Sequence, residues 1–159
     1  MRKVIVNSTP IISLYKVNRL DLLCLMYGCI YIPNSVYIEI SRKNDGIREY
    51  IDNSEWIYVE SVASGLDRQM YKAKLHDGEV EVMMLAQECD EHLVVIDDGP
   101  ARSTAEYLGL NLTGTIGVII KAKEKGYITS VMDIVNEMRT QGIYFSDWLL
   151  DVIKKVACE

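Results

Sequence analysis

Short apolar runs rich in β-branched residues alternate with helix-length segments along the whole chain. These runs predict strands at residues 4–6, 29–32, 57–59, 93–96 and 110–112. Several of them lack the apolar–polar alternation of a half-exposed strand, as is typical of parallel strands covered on both faces. Because right-handed strand–helix–strand connections produce parallel sheets, the pattern predicts an α/β fold.

Helical patterns lie between these strands, and several begin at residues that cap helices well. The spacing predicts helices at residues 9–27 with a break, 34–41, 79–88, 101–108 and 116–125. Thr9-Pro10 places proline at the first position of the first helix, and Ser130 and Ser146 begin two more. No strand follows these last two helices. We therefore predict a single domain, 1–159, in which residues from about 130 to 159 form a helical C-terminal extension.

The composition narrows the class of protein. The chain is 49% hydrophobic and 25% charged with a net charge of −6, which is typical of a globular domain and argues against a broad basic surface for nucleic acid. The four cysteines form no C-x-x-C pair and the two histidines are far apart, so we expect neither a zinc site nor disulfides. The apolar runs are too short to cross a bilayer, and we expect a cytoplasmic protein.

Acidic side chains follow or adjoin the predicted strand ends, where open parallel sheets form their sites. Three of the four positions offer acids, namely Glu39, Glu79 or Glu81, and Asp97 or Asp98, and the fourth offers the amide of Asn7. Clustered carboxylates repel one another unless a cation neutralises them, and magnesium prefers oxygen ligands. The pattern therefore predicts a divalent-metal site, and hydrolysis of phosphodiesters is the chemistry that such a site performs.

Local geometry leaves two choices open. Glu79 and Glu81 are two residues apart on one helix and cannot face the same way, and the apolar pattern does not choose between them. Asp97 and Asp98 point to opposite sides if both are extended, so one of them faces the site. Each acid also has a structural interpretation. Glu39 is typical of a solvated helix face, and Asp97-Asp98 of a turn. Glu79 and Glu81 lie in a first helical turn, where carboxylates interact favourably with the helix dipole.

Several weak motifs occur in an order that is more specific than any of them alone. They are Asn7-Ser8-Thr9-Pro10, Ile32-Pro33 followed by Glu39, Asp77-Gly78-Glu79-Val80-Glu81, Asp97-Asp98 with Ala101-Arg102, Gly114-Thr115-Ile116-Gly117 and Gly126-Tyr127-Ile128. The ordered set resembles the PIN-domain proteins, a family of metal-dependent nucleases that includes many toxin endoribonucleases. The resemblance covers nearly the whole chain. It implies a three-layer fold in which helices cover both faces of a parallel sheet, with extra C-terminal helices.

The resemblance also implies a set of metal ligands. Four positions match those of the family, namely Asn7, Glu39, Glu79 and Asp98, with Asp97 and Glu81 as alternatives at the last two. The implied cofactor is Mg²⁺ or Mn²⁺, and the implied catalytic residues are Glu39, Glu79 and Asp98. Asn7 departs from the family, which has an aspartate there, because an amide oxygen coordinates a metal but carries no charge.

Three further residues are assigned to the site. Ser8 and Thr115 are expected to orient it through hydrogen bonds. Arg102 follows Asp98 by one helical turn, so it either pairs with that aspartate or contacts a substrate phosphate.

The resemblance implies an RNA substrate, an antitoxin partner if the protein is a toxin, and a homodimer. An alternative is a catalytically weak PIN-like module that binds RNA or a protein, and Asn7 is the reason to consider it.

Overall fold

The strands of the computed structural model form one parallel sheet. The structure describes residues 2–43, 45–63 and 75–159. The strands are β1 (Lys3–Val6), β2 (Ile30–Pro33), β3 (Ile57–Glu60), β4 (His92–Val95) and β5 (Leu112–Thr113). Their order is β3-β2-β1-β4-β5, and every described pairing is parallel. β1 is therefore central, with β2 and β4 as its neighbours.

Helices cover the sheet, which confirms the predicted three-layer α/β fold. In chain order they are α1 (Ser8–Lys16), α2 (Asp21–Tyr27), α3 (Asn34–Ser41), α4 (Ile47–Asp52), α5 (Asp77–Gln87), α6 (Gly99–Tyr107), α7 (Thr115–Glu124), α8 (Val131–Thr140) and α9 (Asp147–Ala157). The core is built on β1, where Val4, Ile5 and Val6 are at most 3% exposed. No helix in the described ranges is long and apolar enough to span a membrane.

Local details differ from the sequence prediction at three places. The predicted helix 9–27 is two helices, as its break indicates, but α1 begins at Ser8, so Pro10 is its third residue and not its first. The fifth strand is Leu112–Thr113, displaced from the predicted 110–112. The short helix Ile47–Asp52 was not predicted, because it follows Gly46 in the left-handed region and has no capping side chain.

The C-terminal helices are tied to each other and to α7 through one carboxylate. Glu159 accepts hydrogen bonds from Val131 N at 2.8 Å and from Lys123 Nζ at 3.0 Å. Ser130 Oγ also donates to it, and this bond is the main cause that lowers the pKa of Glu159 to about 2. The first turn of α8 therefore holds an anion at its positive end, where the helix dipole favours it.

Candidate metal centre

The central strands bring the first two parts of the site together. Val6 is in register with Val95, and Asn7 N donates to Val95 O at 3.0 Å. Because parallel strands end at the same edge of a sheet, Asn7 and the residues that follow β4 lie side by side. The start of α5 and one face of α3 complete this edge.

The Asn7 side chain has no hydrogen bond for its amide oxygen. Asn7 occupies the cap position of α1 and is 3% exposed, but its side chain makes no capping bond. Within the described residues, Asn7 Oδ1 is a buried side-chain acceptor without a donor. Leaving a buried acceptor unpaired costs roughly 1–3 kcal/mol of stability, so we expect a hydrogen-bond donor or a cation to bind at this point.

Glu39 approaches the same point from α3. A β-carbon at position 78 would lie 3.1 Å from Glu39 Oε2 and 3.8 Å from Asn7 Oδ1. The two oxygens therefore border one small gap above the first turn of α5. Glu39 is exposed and Asn7 is buried, so the gap opens from the interior towards solvent.

Glu79 is the buried carboxylate of the site, with 8% exposure. Its Oε2 accepts from His76 N at 3.0 Å, across the first turn of α5. Burial raises the pKa of Glu79, and the negative charges of Asp98 and Glu39 raise it further, while the bond from His76 opposes the shift. Glu79 therefore interacts electrostatically with both other carboxylates.

Asp98 reaches the site from the start of α6. It caps this helix, and its Oδ2 accepts from Ala101 N at 3.1 Å. The cap fixes the orientation of the carboxylate and leaves Oδ1 outside the capping bond.

The two alternative acids make hydrogen bonds that join elements of the fold. Asp97 Oδ1 accepts from Thr115 N at 2.8 Å, and Asp97 Oδ2 accepts from Thr115 Oγ1 at 2.6 Å. Glu81 Oε2 accepts from Ser35 N at 2.8 Å, in the first turn of α3. Asp97 therefore joins the end of β4 to the start of α7, and Glu81 joins α5 to α3.

The remaining predicted residues lie around this edge. Ser8 and Thr115 are buried at 5% and 4% exposure. Arg102 Nη1 donates to Ile96 O at 2.9 Å, so the structure holds this guanidinium against the end of β4. A β-carbon on Gly114 would lie 3.0 Å from Arg102 Nη1, which shows how closely α7 approaches the guanidinium.

A cleft of about 430 Å³ lies beside Glu39. Its wall includes Glu39, Gly78, Arg42 and His76. Gly78 and His76 were not among the predicted site residues. One available signal was the position of His76 three residues before Glu79, which is the spacing of a reciprocal helix cap.

The residues fit a magnesium-type ion and do not form a closed metal cage. Among the described residues, no three His, Cys, Asp or Glu side chains converge closely enough to hold an ion by themselves. Magnesium keeps several waters and takes only one or two carboxylates directly, so it does not require such convergence. The unpaired Asn7 Oδ1 beside Glu39 Oε2 provides oxygen donors of the type that this ion accepts.

A family model described as a PIN domain matches residues 3–159. The chain belongs to the PIN-domain family. PIN domains generally use divalent metal ions, and membership indicates a nuclease-type function. No curated protein matches the chain.

The raised pKa of Glu79 predicts how the stability of the metal-free protein depends on pH. The folded state disfavours ionised Glu79, so the free energy of unfolding should fall as pH rises from the ordinary pKa of 4.5 through the raised value. Glu79→Gln keeps an acceptor for His76 N and should remove most of this fall. Urea unfolding in a chelator at several pH values measures this fall in stability. Glu106→Gln, at an exposed position of α6, is the control. An unchanged pH dependence in Glu79→Gln would contradict this prediction.

Proposed function

We propose that the protein is a Mg²⁺- or Mn²⁺-dependent endoribonuclease whose active site contains Asn7, Glu39, Glu79 and Asp98. The observation that carries the proposal is the buried, unpaired Asn7 Oδ1 next to carboxylates. A hydrogen-bond donor would satisfy this oxygen but leave the carboxylates repelling one another. A divalent cation satisfies both, because it binds the amide oxygen and neutralises the acids.

Each residue has a defined part in this proposal. Asn7, Glu39, Glu79 and Asp98 would hold the ion, one or two of the carboxylates directly and the others through waters that the ion keeps. A divalent cation supplies activation of water and neutralisation of the charge that develops on the phosphate. The hydrogen bonds from His76 N and Ala101 N fix the directions of Glu79 and Asp98, so these carboxylates need little reorganisation when the ion binds.

Residues around the acids would bind the substrate. Arg42 lines the cleft beside Glu39, and Arg102 is held by Ile96 O, directly after β4. Guanidinium groups bind phosphate through paired N–H donors, so both are suited to the RNA backbone.

Thr115 acts on the site indirectly, because its bonds to Asp97 position the segment that carries Asp98. Family membership supports RNA as the substrate.

Metal removal tests the proposed activity. Single-stranded RNA should be cleaved in Mn²⁺ or Mg²⁺, a chelator should abolish cleavage, and added metal should restore it. Gel analysis of an end-labelled oligonucleotide measures all three. Cleavage that continues unchanged in the chelator would contradict the proposal.

A catalytically weak PIN-like module that binds RNA or a protein is the second candidate. It is favoured by Asn7, which leaves the site with one carboxylate fewer than the family pattern. Calorimetric titration of Mn²⁺ separates the two candidates. No binding by the wild type together with clear binding by Asn7→Asp favours the module, and tight binding by both counts against it.

We also propose that the protein is a cytoplasmic toxin paired with an antitoxin. Membership of the PIN family supports this proposal, since the family resemblance extends to toxin endoribonucleases. A small antitoxin reading frame beside the gene would support it. Growth unaffected by expression of the protein alone would count against it.

Self-association through α9 is a further part of the proposal. Trp148, Val152 and Val156 follow one another at intervals of four residues and are 73%, 37% and 57% exposed. They form an apolar stripe on the outer face of the helix, with Asp151 and Lys155 beside it. Antiparallel pairing of two copies about a twofold axis would bring Asp151 of one copy towards Lys155 of the other.

Light scattering tests this dimer. The wild type should have the mass of a dimer, and Trp148→Ser should shift it to the monomer, because it removes the largest apolar side chain of the stripe. Tyr107→Ser removes another exposed aromatic side chain, 91% exposed on α6, and should leave the dimer intact. A wild type that is monomeric at all accessible concentrations would contradict the proposal. A heterodimer with the antitoxin through the same stripe would also do so.

A further inference from the structure

Gly78 is the second residue of α5 and has ordinary helical backbone geometry. Its φ does not lie in the left-handed region, so the backbone itself permits a side chain. Alanine is a better helix former than glycine at such a position. The reason for glycine must therefore lie in what surrounds it.

The surroundings leave no free space for a methyl group. A β-carbon on Gly78 would lie 3.1 Å from Glu39 Oε2 and 3.2 Å from Val36 Cγ2, and both distances are shorter than comfortable contacts. The same β-carbon would lie 3.8 Å from Asn7 Oδ1, which is ordinary contact. Gly99, at the start of α6, differs because a β-carbon there would meet nothing within 4 Å.

We propose that Gly78 is a positioning residue that keeps open the gap in which Asn7 Oδ1 and Glu39 Oε2 bind the divalent cation. This inference rests on the proposed function. Magnesium binds its oxygen ligands at Mg–O distances of roughly 2.0–2.1 Å, and a methyl group in the gap would prevent the two oxygens from reaching a shared ion.

The fold can accept that methyl group at the expense of the gap. Glu39 is exposed, and its carboxylate is the end of a flexible side chain, so it can turn outward into solvent. Val36 is fully buried and has less freedom to move. Gly78→Ala should therefore displace Glu39 from Asn7 while the helix remains folded.

Mn²⁺ binding, followed by electron paramagnetic resonance or calorimetry, tests the inference without reference to activity. Gly78→Ala should bind Mn²⁺ roughly tenfold or more weakly than the wild type, the size of effect expected when a residue that positions a ligand is changed. Its melting temperature in a chelator should stay close to that of the wild type, because the better helix propensity of alanine offsets the close contact with Val36. The control Gly99→Ala should bind Mn²⁺ like the wild type.

Val36→Ala in the Gly78→Ala background separates intrusion into the gap from a displaced helix. The substitution removes the apolar contact and leaves the contact with Glu39. The double variant should stay as weak as Gly78→Ala, with Val36→Ala alone binding like the wild type. Recovery of binding in the double variant would overturn the inference, because a shift of α5 against Val36 would then be the cause.

The remaining outcomes distinguish this inference from the proposed function. Wild-type binding that Gly78→Ala leaves unchanged overturns the role of Gly78 and leaves the metal-dependent nuclease standing. A wild type that binds no Mn²⁺ overturns both. A Gly78→Ala protein that fails to fold overturns the inference, which requires the fold to accept the methyl group.

Discussion

Replacing Asp98 with asparagine is expected to slow metal-dependent RNA cleavage by roughly 100- to 1,000-fold, the usual effect of losing one preorganised electrostatic contact. Asparagine caps helices as well as aspartate, so its amide oxygen can still accept from Ala101 N and α6 should remain intact. The main change is the loss of a negative charge that interacts with Glu79. Initial rates of cleavage of a single-stranded RNA in Mn²⁺ measure the effect.

A matched control for Asp98→Asn is available on the same helix. Glu106→Gln makes the same change of net charge at an exposed position of α6 and should leave the rate unchanged. All three proteins should be purified in parallel, because trace nucleases degrade RNA. Equal degradation by the wild type and Asp98→Asn would show that a contaminating nuclease cleaves the RNA, and would contradict nuclease activity at this site.

Replacing Asn7 with aspartate is expected to have opposite effects with and without metal. Asn7 is 3% exposed, and a carboxylate there would be buried close to the carboxylate of Glu39. Without metal, Asn7→Asp should lower the free energy of unfolding at neutral pH by about 1–3 kcal/mol, and this loss should shrink as the pH falls and the new acid is protonated. With Mn²⁺, the added charge should raise affinity by roughly tenfold or more, since ligand charge tunes such sites.

Calorimetry and thermal unfolding, each with and without Mn²⁺, measure the two effects of Asn7→Asp. Asn111→Asp makes the same chemical change at an exposed position and should alter neither quantity by much. An Asn7→Asp protein with unchanged stability in a chelator and unchanged Mn²⁺ affinity would show that position 7 does not face a metal site.

The fold was predictable because its central strands are covered on both faces. Successive residues of a strand point to opposite faces, yet Val4 and Ile5 of β1 are both buried, as are Val94 and Val95 of β4. β1 and β4 therefore appear in the sequence as unbroken β-branched runs. The short helix Ile47–Asp52 lacked such a signal. Six residues are too few to establish a helical period, and its start depends on the left-handed conformation of Gly46.

The placement of the acids at one edge of the sheet was also predictable, but the choice among adjacent acids was not. Asp97 and Asp98 differ because Thr115, 18 residues further along the chain, donates both its N–H and its hydroxyl to Asp97. That contact exists only once β4 and β5 are paired and α7 starts beside them. Nothing local to the two aspartates distinguishes the one that anchors α7 from the one that caps α6.

The pair Glu79 and Glu81 was ambiguous for a different reason. α5 is buried along nine consecutive residues, Gly78–Ala86, so an amphipathic pattern carries no information about its orientation. Glu81 bonds Ser35 N, 46 residues earlier in the chain, and Glu79 faces Asp98 and Glu39. The gap above Gly78 likewise depends on how α3 packs against α5, and no local sequence pattern predicts that packing.

Titration of Mn²⁺ into the wild type and Asp98→Asn, with RNA cleavage assayed on the same samples, tests whether the acids at this sheet edge form a metal-dependent nuclease site. The wild type should bind Mn²⁺ and cleave RNA over the same range of metal concentration. Asp98→Asn should bind Mn²⁺ more weakly and cleave RNA more slowly, while its melting temperature in a chelator is unchanged or higher. A wild type that binds no Mn²⁺, or an Asp98→Asn protein that binds metal and cleaves RNA as the wild type does, would contradict a metal-dependent nuclease site at this edge.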